Sequence, residues 1–409
     1  MSFIVSPKQI ASSDLDIARG PVHTNEVTQC DGFLFRTFHG LKGLDQLAAE
    51  WTGLVQTLPR VSFNQLPEWY RAYLTSGLSN PDRIIFVAAY RDQALVAVFP
   101  LQFQSLWSHV LEPRVLGTID HDQLQLSDFV FAQTKSNSHL LFALTHWLRH
   151  QRTLRWDELR LRKIADDSSV AFSARARLPE AAVALQHDWS AYVDTSSTFE
   201  HATKAMTSKF KRNLRRRLRL AEEKAQVRFQ SYRSPGELAD AFAKFLQIEA
   251  SDWKGASGTS TAISCQPDML RFYQEVIREF SARDDGCVIN LLWHGDQAVA
   301  GNFCLRVGRT LHLLKVGFRN VHAIFAPGIL LSERTIQHAC QDPDIDVLSF
   351  VNHPSWGYGF KPRTMAVWSY CAPNWGVRGM LVHIGLLLKR KWDSRASKAA
   401  EPSTLEAAE

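Results

Sequence analysis

The chain has 409 residues, which exceeds the usual size of a single domain, so we expect two. Hydrophobic residues make up 45% of the sequence and charged residues 22%, which excludes an intrinsically disordered chain. The net charge of +6 permits an anionic ligand but does not by itself indicate binding to nucleic acid. The six cysteines show no paired spacing, so we expect no metal site, no redox pair and a reducing compartment.

The two termini bear on localisation. Residues 1–31 are polar and aperiodic, and they are predicted to form a flexible tail without a secretory signal. Near the other end, the apolar run of residues 380–388 contains His383 and is too short to span a bilayer. We therefore expect a cytoplasmic protein.

The first half of the chain alternates strand and helix patterns. Hydrophobic periodicity predicts helices over residues 44–58, 66–74 and 140–148, and strands over residues 33–37, 83–90, 94–103, around Val115, 124–131 and 158–161. His121, Asp122 and Asp128 lie close together in this part of the sequence. We interpret them as solvated loop groups rather than as an acid/base pair, because such pairs are rare.

The second half opens with a basic helix. Ser197 and Glu200 fit a capping box at its start. Residues spaced by four form a narrow apolar stripe of Met206, Phe210, Leu214 and Leu218. The other faces carry Lys204, Lys209, Lys211, Arg212, Arg215, Arg216, Arg217 and Arg219. Such a helix suits RNA, a membrane surface or an anionic cofactor, and equally a solvated face partly neutralised by Glu222 and Glu223.

A strand followed by a Pro-Gly helix start is the most informative stretch. The strand pattern of residues 311–318 leads through a short loop to Ala326, Pro327 and Gly328, which open a helix. Proline near a first helical position loses no useful donor, and glycine lets a ligand approach the backbone. The unpaired N–H groups and positive dipole end at a helix start suit a phosphate. A plain Pro-Gly helix cap is the alternative interpretation.

The two halves repeat one order of elements. Each runs helix, helix, three-stranded meander, helix and strand, with the meanders starting at residues 83 and 287. Only the second half has Pro-Gly at its late helix; the first has Ser136-Asn137-Ser138 there. We predict tandem domains over residues 32–192 and 193–375, the second of them functional. Residues 376–409 are predicted to form an amphipathic basic helix and a disordered tail.

Three stretches together resemble the CelD/BcsL-like acetyltransferase family: residues 209–217 (Lys-Phe-Lys-Arg-Asn-Leu-Arg-Arg-Arg), the Gly295-Asp296 hairpin, and residues 326–331 (Ala-Pro-Gly-Ile-Leu-Leu). This family belongs to the GNAT superfamily and is related to the Fem-type peptidyltransferases, which share a tandem GNAT arrangement. The resemblance is best over residues 195–370. It implies an α+β (αβα) fold of tandem GNAT-like, Fem-type domains, each a mixed, mostly antiparallel sheet flanked by helices.

The resemblance also implies a donor site for acetyl-CoA or a longer acyl-CoA, used as a co-substrate without a metal. In GNAT proteins the pantetheine arm lies between two splayed strands and pairs with the strand before the pyrophosphate helix. Carried onto this sequence, the arm would lie along Lys315, Val316, Gly317 and Phe318, with Val316-Gly317 as a β-bulge. The pyrophosphate would meet the helix start at Pro327, Gly328, Ile329, Leu330 and Leu331.

The acceptor side departs from the family pattern. Phe360 stands where the family has a tyrosine, next to the lysine aligned with Lys361, and the usual acid is missing. We interpret His353 as the general base, because histidine exchanges protons near neutral pH, and Tyr358 as the acid. A turn-stabilising role for His353 and simple packing for Tyr358 are the alternatives.

Further residues are assigned to the site by their position on the second-half helix predicted over residues 237–253 or by their position at the lysine aligned with the family. The alternative bases are Glu249 and Asp252, and the residues expected to bind the acceptor are Trp253, Lys361 and Arg363. An ordinary surface role is the alternative for Lys361 and Arg363.

The predicted function is transfer of an acyl group from CoA to an amine or hydroxyl of a small-molecule or glycan acceptor, in polysaccharide, envelope or secondary-metabolite biosynthesis. One alternative is Fem-type aminoacyl transfer from tRNA, with the basic helix contacting RNA. Another is a catalytically degenerate GNAT-fold binding protein. The helix of residues 377–392 is expected to pack on the second domain or to lie on an anionic membrane, peripheral to the inner membrane. The oligomeric state is not predicted.

Overall fold

The computed structural model describes residues 28–104, 113–131, 134, 137, 139–151, 153–177, 183–251 and 254–399. Its helices are α1 (Gly40–Gln56), α2 (Pro67–Ser76), α3 (Leu140–His150), α4 (Ser169–Arg177), α5 (Phe199–Ala202), α6 (Ser208–Glu222), α7 (Pro235–Glu249), α8 (Pro267–Phe280), α9 (Pro327–Gln341) and α10 (Val377–Ala399). Its strands are β1 (Thr28–Cys30), β2 (Phe33–His39), β3 (Ile84–Arg91), β4 (Ala94–Gln104), β5 (Val115–Thr118), β6 (Val130–Phe131), β7 (Glu158–Ala165), β8 (Val183–Asp194), β9 (Val227–Tyr232), β10 (Cys287–His294), β11 (Gln297–Val307), β12 (Thr310–Phe318), β13 (Val347–Ser349) and β14 (Arg363–Pro373).

The described strands form one continuous sheet. Its order is β1-β2-β3-β4-β5-β7-β14-β8-β13-β12-β11-β10-β9, with β6 paired to β4 off this path. The parallel pairs between named strands are β5 with β7 and β12 with β13, and the other neighbours are antiparallel. Each half contributes the predicted three-stranded meander, β3-β4-β5 in the first and β10-β11-β12 in the second.

The last strand of the chain joins the two halves. β14 pairs with β8 on one side and with β7 on the other. The domain boundary expected at 192/193 falls inside β8, which also pairs with β13. Because β14 supplies backbone hydrogen bonds to strands on both sides, neither half of the sheet is complete without residues 363–373.

Helices cover both faces of the sheet. On one face, α1, α2, α7 and α8 share a single apolar core that runs under both halves, and α2 lies against α8. Trp69 of α2 and Phe272 of α8 meet edge to face there, with ring centroids 5.1 Å apart. On the other face, α3 and α4 pack on the first half, while α6 and α9 pack on the second. The layers are therefore αβα, and the two halves are joined through one core as well as through the sheet.

The predicted cap of the basic helix is wrong by one residue. Thr198, not Ser197, begins the first turn, and its hydroxyl accepts the N–H of His201 at 3.3 Å. Glu200 is then the second helical residue, which cannot reach back as a capping box requires. A second cap at Thr207 accepts the N–H of Phe210 at 3.1 Å and starts α6, so the basic stretch is a short turn followed by a separate helix.

The strand predicted over residues 124–131 is reduced to Val130–Phe131. Leu124 and Leu126 are buried outside a regular strand. Asp128 is buried rather than solvated, and its carboxylate accepts the N–H groups of Ser169 and Val170, both at 3.2 Å, at the start of α4. Burial raises the pKa of Asp128 to about 7, while these N–H groups act in the opposite direction. Its role is structural, because the carboxylate accepts the N–H groups at a helix start.

Other differences concern elements that the sequence pattern did not indicate. α4, β8 and β14 were not predicted. β1 belongs to the segment expected to be a flexible tail, and it is ordered because it pairs with β2. At the other end, α10 continues to Ala399, and residues 400–409 lie outside the described part of the chain. None of the described helices is long and apolar enough to cross a membrane.

Candidate active site

Strands β12 and β13 part after a short stretch of pairing. They run parallel only as far as His312 and Ser349. β12 then continues beside β11 up to Phe318, whereas the chain after β13 stays beside β8, where the Phe350 N–H donates to the Ala191 carbonyl at 2.8 Å. Residues 313–318 of β12 therefore have one edge that no described strand covers. We call this opening between β12 and the chain after β13 the splay.

The backbone just after β13 adopts a strained conformation. Val351 has a φ of +63°, which β-branched residues rarely adopt. Its N–H donates to the Ser349 hydroxyl at 3.1 Å, and its side chain is buried. The next N–H, of Asn352, donates to the Phe350 carbonyl at 2.6 Å. Strain of this kind persists only where the surroundings enforce it, and it is enriched at functional sites.

A β-bulge does occur on the predicted donor strand, but at another residue. It lies at Leu314, which has no counterpart on β11. The predicted bulge at Val316-Gly317 is wrong, because both residues pair in register with β11. Gly317 serves a different purpose: a Cβ there would lie 3.0 Å from the Cα of Glu249, so α7 approaches β12 too closely for a side chain.

The start of α9 leaves a backbone donor available. Ala326 is left-handed, with a φ of +49°, and α9 begins at Pro327, which has no N–H. The N–H groups of Ile329 and Leu330 donate back to the Ala326 carbonyl at 3.0 and 3.2 Å. For the Gly328 N–H, no acceptor is found among the described residues. The positive end of the α9 dipole and an available N–H thus coincide at Gly328.

The free edge of β12 ends beside this helix start. A Cβ on Gly328 would lie 3.2 Å from the Phe318 ring, and that ring is partly exposed. α7 also starts with Pro-Gly, yet a Cβ on Gly236 would meet nothing within 4 Å. The Pro-Gly pair therefore does not distinguish α9 from α7. The difference is that the start of α9 contacts the end of β12, whose edge is open.

Lys315 extends from β12 toward the boundary between the two halves. Its Nζ lies 6.0 Å from the ring centroid of Tyr273 on α8. Burial lowers the pKa of Lys315 to about 8, with Lys254 adding to the shift and with Glu249 and Asp122 opposing it. Asp122 belongs to the first half, so both halves set the charge environment of this amine. A mostly buried lysine whose pKa approaches neutrality is a candidate for proton transfer.

Glu249, one of the predicted bases, is buried under β12. One carboxylate oxygen accepts the Ile263 N–H at 2.8 Å, and the other lies 3.6 Å from the Nζ of Lys254. The carboxylate therefore ties the loop after α7 to the helix itself. Through these contacts, Glu249 can hold in place the chain around Gly317 and Lys315.

His312 lies at the base of the splay, in the last β12–β13 pair. It is 6% exposed, and neither ring nitrogen has a hydrogen-bond partner among the described residues. Its ring meets the edge of Phe63 from the first half, with centroids 4.9 Å apart. Burial lowers its pKa to about 3, so the ring is neutral. His312 and the side chain of Lys315 were not predicted as site residues. The signal for them in the sequence is the presence of two basic residues in an otherwise apolar strand.

The two residues predicted as base and acid do meet. His353 and Tyr358 lie on the loop between β13 and β14, with ring centroids 4.5 Å apart and planes inclined by 34°. Tyr358 is exposed. The same loop rests on α6, because a Cβ on Gly359 would lie 2.2 Å from the Phe210 ring. The glycine is therefore required for this contact, and α6 supports the loop that carries the pair.

The predicted acceptor residues are less closely grouped. Arg363 forms an ion pair with Asp194 at 3.4 Å, and both side chains are well exposed. Lys361 has a φ of +52° and is exposed. Asp252 and Trp253 lie outside the described residues.

The cationic face of α6 is open to solvent. Its apolar stripe faces the core, with Leu214 buried and Phe210 partly buried. Burial raises the pKa of Glu333 on α9, and the nearby Arg334 and also Arg215 of α6 act in the opposite direction. The exposed cations of this stretch are Lys204, Lys209, Arg212, Arg215, Arg216 and Arg219.

Metal-type ligands meet at one place within the described residues, away from the splay. The ligand atoms of Cys30, Asp31 and His146 lie within 4.8 Å of one another, between β1 and α3. The Asp31 carboxylate and His146 Nδ1 are 2.9 Å apart, which accounts for the contact as a hydrogen-bonded ion pair.

Replacement of Lys315 by methionine should stabilise the protein near neutral pH. The pKa of Lys315 is about 8 in the folded protein, whereas the ordinary lysine pKa of about 10.5 applies to the unfolded chain. Burying the ammonium therefore costs stability in full below pH 8, and this cost falls as pH rises toward 10.5. Urea unfolding at about pH 7 and about pH 10 should show a gain for Lys315→Met that shrinks at the higher pH. Lys42→Met, at an exposed position of α1, should show no such dependence; an equal gain at both pH values would contradict the burial of the charge.

Comparisons with known proteins agree with this geometry. Residues 208–358, from α6 to the loop that carries Tyr358, match the family described as "Acetyltransferase (GNAT) domain". No curated protein matches the sequence. Among solved structures, FemX is 11% identical with a TM-score of 0.52, over 79% of this chain and 95% of FemX.

Two further solved structures cover similar shares of the chain. L-PGS from Bacillus licheniformis is 11% identical over 82% of this chain and 95% of its own, with a TM-score of 0.47. A tandem GNAT protein from the clavulanic acid biosynthesis pathway is 11% identical over 84% of this chain and 99% of its own, with a TM-score of 0.43. The predicted fold class is confirmed by the likeness to FemX: the chain has a GNAT-like fold, and the match to the acetyltransferase (GNAT) domain family lies within the second half.

Proposed function

We propose that this protein transfers an acyl group from acyl-CoA to an amine or hydroxyl of a small-molecule or glycan acceptor, in polysaccharide, envelope or secondary-metabolite biosynthesis. One observation carries the proposal: the open edge of β12, residues 313–318, ends beside Gly328 at the start of α9. An open strand edge pairs with an amide-containing arm, and a helix start receives a phosphate. The strand edge and the helix start adjoin in the same order as the pantetheine arm and the pyrophosphate of the donor.

The residues at the splay fit such a donor. The backbone from Lys315 to Phe318 offers peptide groups to the amides of a pantetheine arm. The Gly328 N–H and the α9 dipole receive the pyrophosphate, with Ile329 to Leu331 behind them. Phe318 and Ile324 are exposed apolar side chains beside this position and offer cover to an acyl or pantetheine chain. When bound, the thioester supplies an activated acyl carbon.

The chemistry is direct transfer. The acceptor nitrogen or oxygen forms a bond to the acyl carbon while the C–S bond breaks; a base takes the acceptor proton, and a proton reaches the departing thiolate. Orientation of the two reactants supplies most of the acceleration, up to about 7–11 kcal/mol in favourable cases. Two groups at the splay are suited to take the proton: His353, with Tyr358 as the proton donor, and the neutral form of Lys315. Glu249 acts as a positioning residue for Lys315.

The acceptor would enter between the two halves, on the side of β12 where Lys315 lies. Lys361 and Arg363, on the loop and strand after the His353–Tyr358 pair, are proposed to bind an anionic group of the acceptor, together with Trp253. The ion pair between Arg363 and Asp194 is well exposed, so an acceptor anion can compete for this guanidinium.

A second candidate function is aminoacyl transfer from tRNA. The exposed cations of α6 are the observation that favours it, because phosphate contacts dominate affinity for RNA. A third candidate is a GNAT-fold binding protein without turnover, which the departure at Phe360 favours.

Acyl-CoA should stabilise the protein through Gly328. At about 100 times its dissociation constant, the ligand should add roughly 2.7 kcal/mol to the free energy of unfolding. Gly328→Val should abolish this gain, since its side chain would crowd the available N–H and press on Phe318. The measurement is thermal shift with CoA, acetyl-CoA and longer acyl-CoAs.

The matched control is Gly236→Val, at the same Pro-Gly position of α7, where a Cβ meets nothing within 4 Å. It makes the same change in helix propensity and should keep the ligand-induced gain. A full gain in Gly328→Val would remove the assignment of the pyrophosphate to this helix start.

The base should be identified by kinetics. His353→Gln, Tyr358→Phe and Lys315→Met should each leave acyl-CoA binding intact, and loss of the true base should lower kcat by about 10²–10⁴-fold. If Lys315 is the base, the rate of the unmodified enzyme should rise as pH passes through about 8, because only the neutral amine accepts a proton. If neither His353→Gln nor Lys315→Met lowers kcat, both assignments are wrong. Donor binding without any turnover would favour the third candidate.

The tRNA hypothesis makes a separate prediction about salt. Filter binding should show tRNA affinity that falls steeply as salt rises, and the double variant Arg212→Glu/Arg216→Glu should reduce the slope of log K against log salt by about two. Lys42→Glu, an equally exposed cation on α1, should leave the slope nearly unchanged. Absence of tRNA binding at low salt would exclude this candidate.

A further inference from the structure

The exposed face of α10 is a regular apolar stripe. Its members recur at intervals of three and four residues, so they share one side of the helix. They are Val377, Met380, Leu381, Ile384, Leu387 and Leu388, with exposed fractions between 39% and 80%. Single exposed apolar residues are common, but six in register on one helix are not.

The opposite face of α10 is already docked. α10 lies against β14, β7 and β8. Gly379 is buried, and a Cβ there would lie 2.3 Å from the Asn374 carbonyl oxygen and 2.7 Å from that of Asp157. Val382, His383 and Leu386, at helical spacing from Gly379, are partly buried. The exposed stripe is therefore not an undocked core face, because the helix has a separate face that packs on the sheet.

The residues that flank the stripe are of the types found in helices that lie at a membrane–water interface. Trp375, just before α10, is 80% exposed, and the Arg149 guanidinium lies 5.1 Å from its ring centroid. In sequence, the stripe is followed directly by Lys389-Arg390-Lys391-Trp392, and residues 377–391 contain no acidic residue. Tryptophan is enriched at membrane–water interfaces, and basic clusters are attracted to anionic lipid headgroups.

We propose that α10 is a membrane-docking helix that lays the protein on an anionic lipid surface, with the stripe inserted at the level of the headgroups. Apolar side chains on one face, cations at one end and aromatic residues at both ends suit an amphipathic helix that lies in the interface. No described helix could cross a bilayer, so the contact is peripheral. This inference stands independently of the transferase proposal.

A second copy of the chain is the other occupant to consider. Stable protein interfaces use roughly 20–30 residues on each side. The stripe offers six side chains over about three helical turns, which is too few to hold a dimer by itself. The charge at the end of the helix complements anionic lipid rather than another positively charged chain.

The test is co-sedimentation of the full chain with vesicles of phosphatidylcholine, with and without phosphatidylglycerol. We expect binding to the anionic vesicles about tenfold stronger than to the neutral ones, weakened by added salt. The variant Leu381→Glu/Ile384→Glu should lose about tenfold or more in binding to the anionic vesicles. Val321→Glu changes an exposed valine on another surface and should bind as the unmodified protein does.

Three results would overturn the proposal. One is equal or absent binding of the unmodified protein to both kinds of vesicle. Another is unchanged binding of Leu381→Glu/Ile384→Glu. The third is a dimer in lipid-free solution that this double variant converts to a monomer, which would assign the stripe to a second copy. A cooperative thermal unfolding transition retained by the double variant shows that it is folded, whether or not the protein binds acyl-CoA, so failure of this inference is distinguishable from failure of the transferase proposal.

Discussion

The opening between β12 and β13 lies where the two strands stay with different neighbours. β11 pairs with β12 along its whole length, while the chain after β13 remains beside β8 through the Phe350 N–H. Peptide groups within a sheet are normally paired, so an unpaired edge in the interior of a wide sheet is costly unless something binds there. The positive φ of Val351 lies two residues after the last β12–β13 pair, in the same part of the chain.

Both halves of the molecule contribute to this region, and the helix start with the available donor belongs to the second. Phe63 covers His312, and Asp122 acts on the charge of Lys315. The first half therefore forms part of the surroundings of the candidate site and has a small effect on the charge of Lys315. A neutral histidine and a largely buried lysine both reduce stability where they lie, and proteins tolerate such groups chiefly where function requires them.

Local signals in the sequence were enough to predict β12, the Pro-Gly start of α9 and the two meanders, because turn chemistry and periodicity act over a few residues. They failed where distant parts of the chain decide. β14 pairs with a strand about 200 residues earlier, and Asp128 caps a helix that begins 41 residues later. Lys315 was predicted only as part of the strand that pairs with the pantetheine arm. The burial of its side chain could not be predicted, because it depends on α8 and on the first half. The bulge at Leu314 likewise follows from pairing with β11 rather than from any residue type.

The position of β14 also determines when the protein can complete its fold. β7 emerges from the ribosome roughly 200 residues before the strand that covers its edge, which corresponds to about 10–40 s at usual rates of translation. During that interval the nascent first half presents an uncovered strand edge, the kind of surface that chaperones recognise and that otherwise associates with other chains. For the same reason the gene cannot simply be divided between its two repeats, because a fragment that ends before residue 363 lacks the strand that both repeats share.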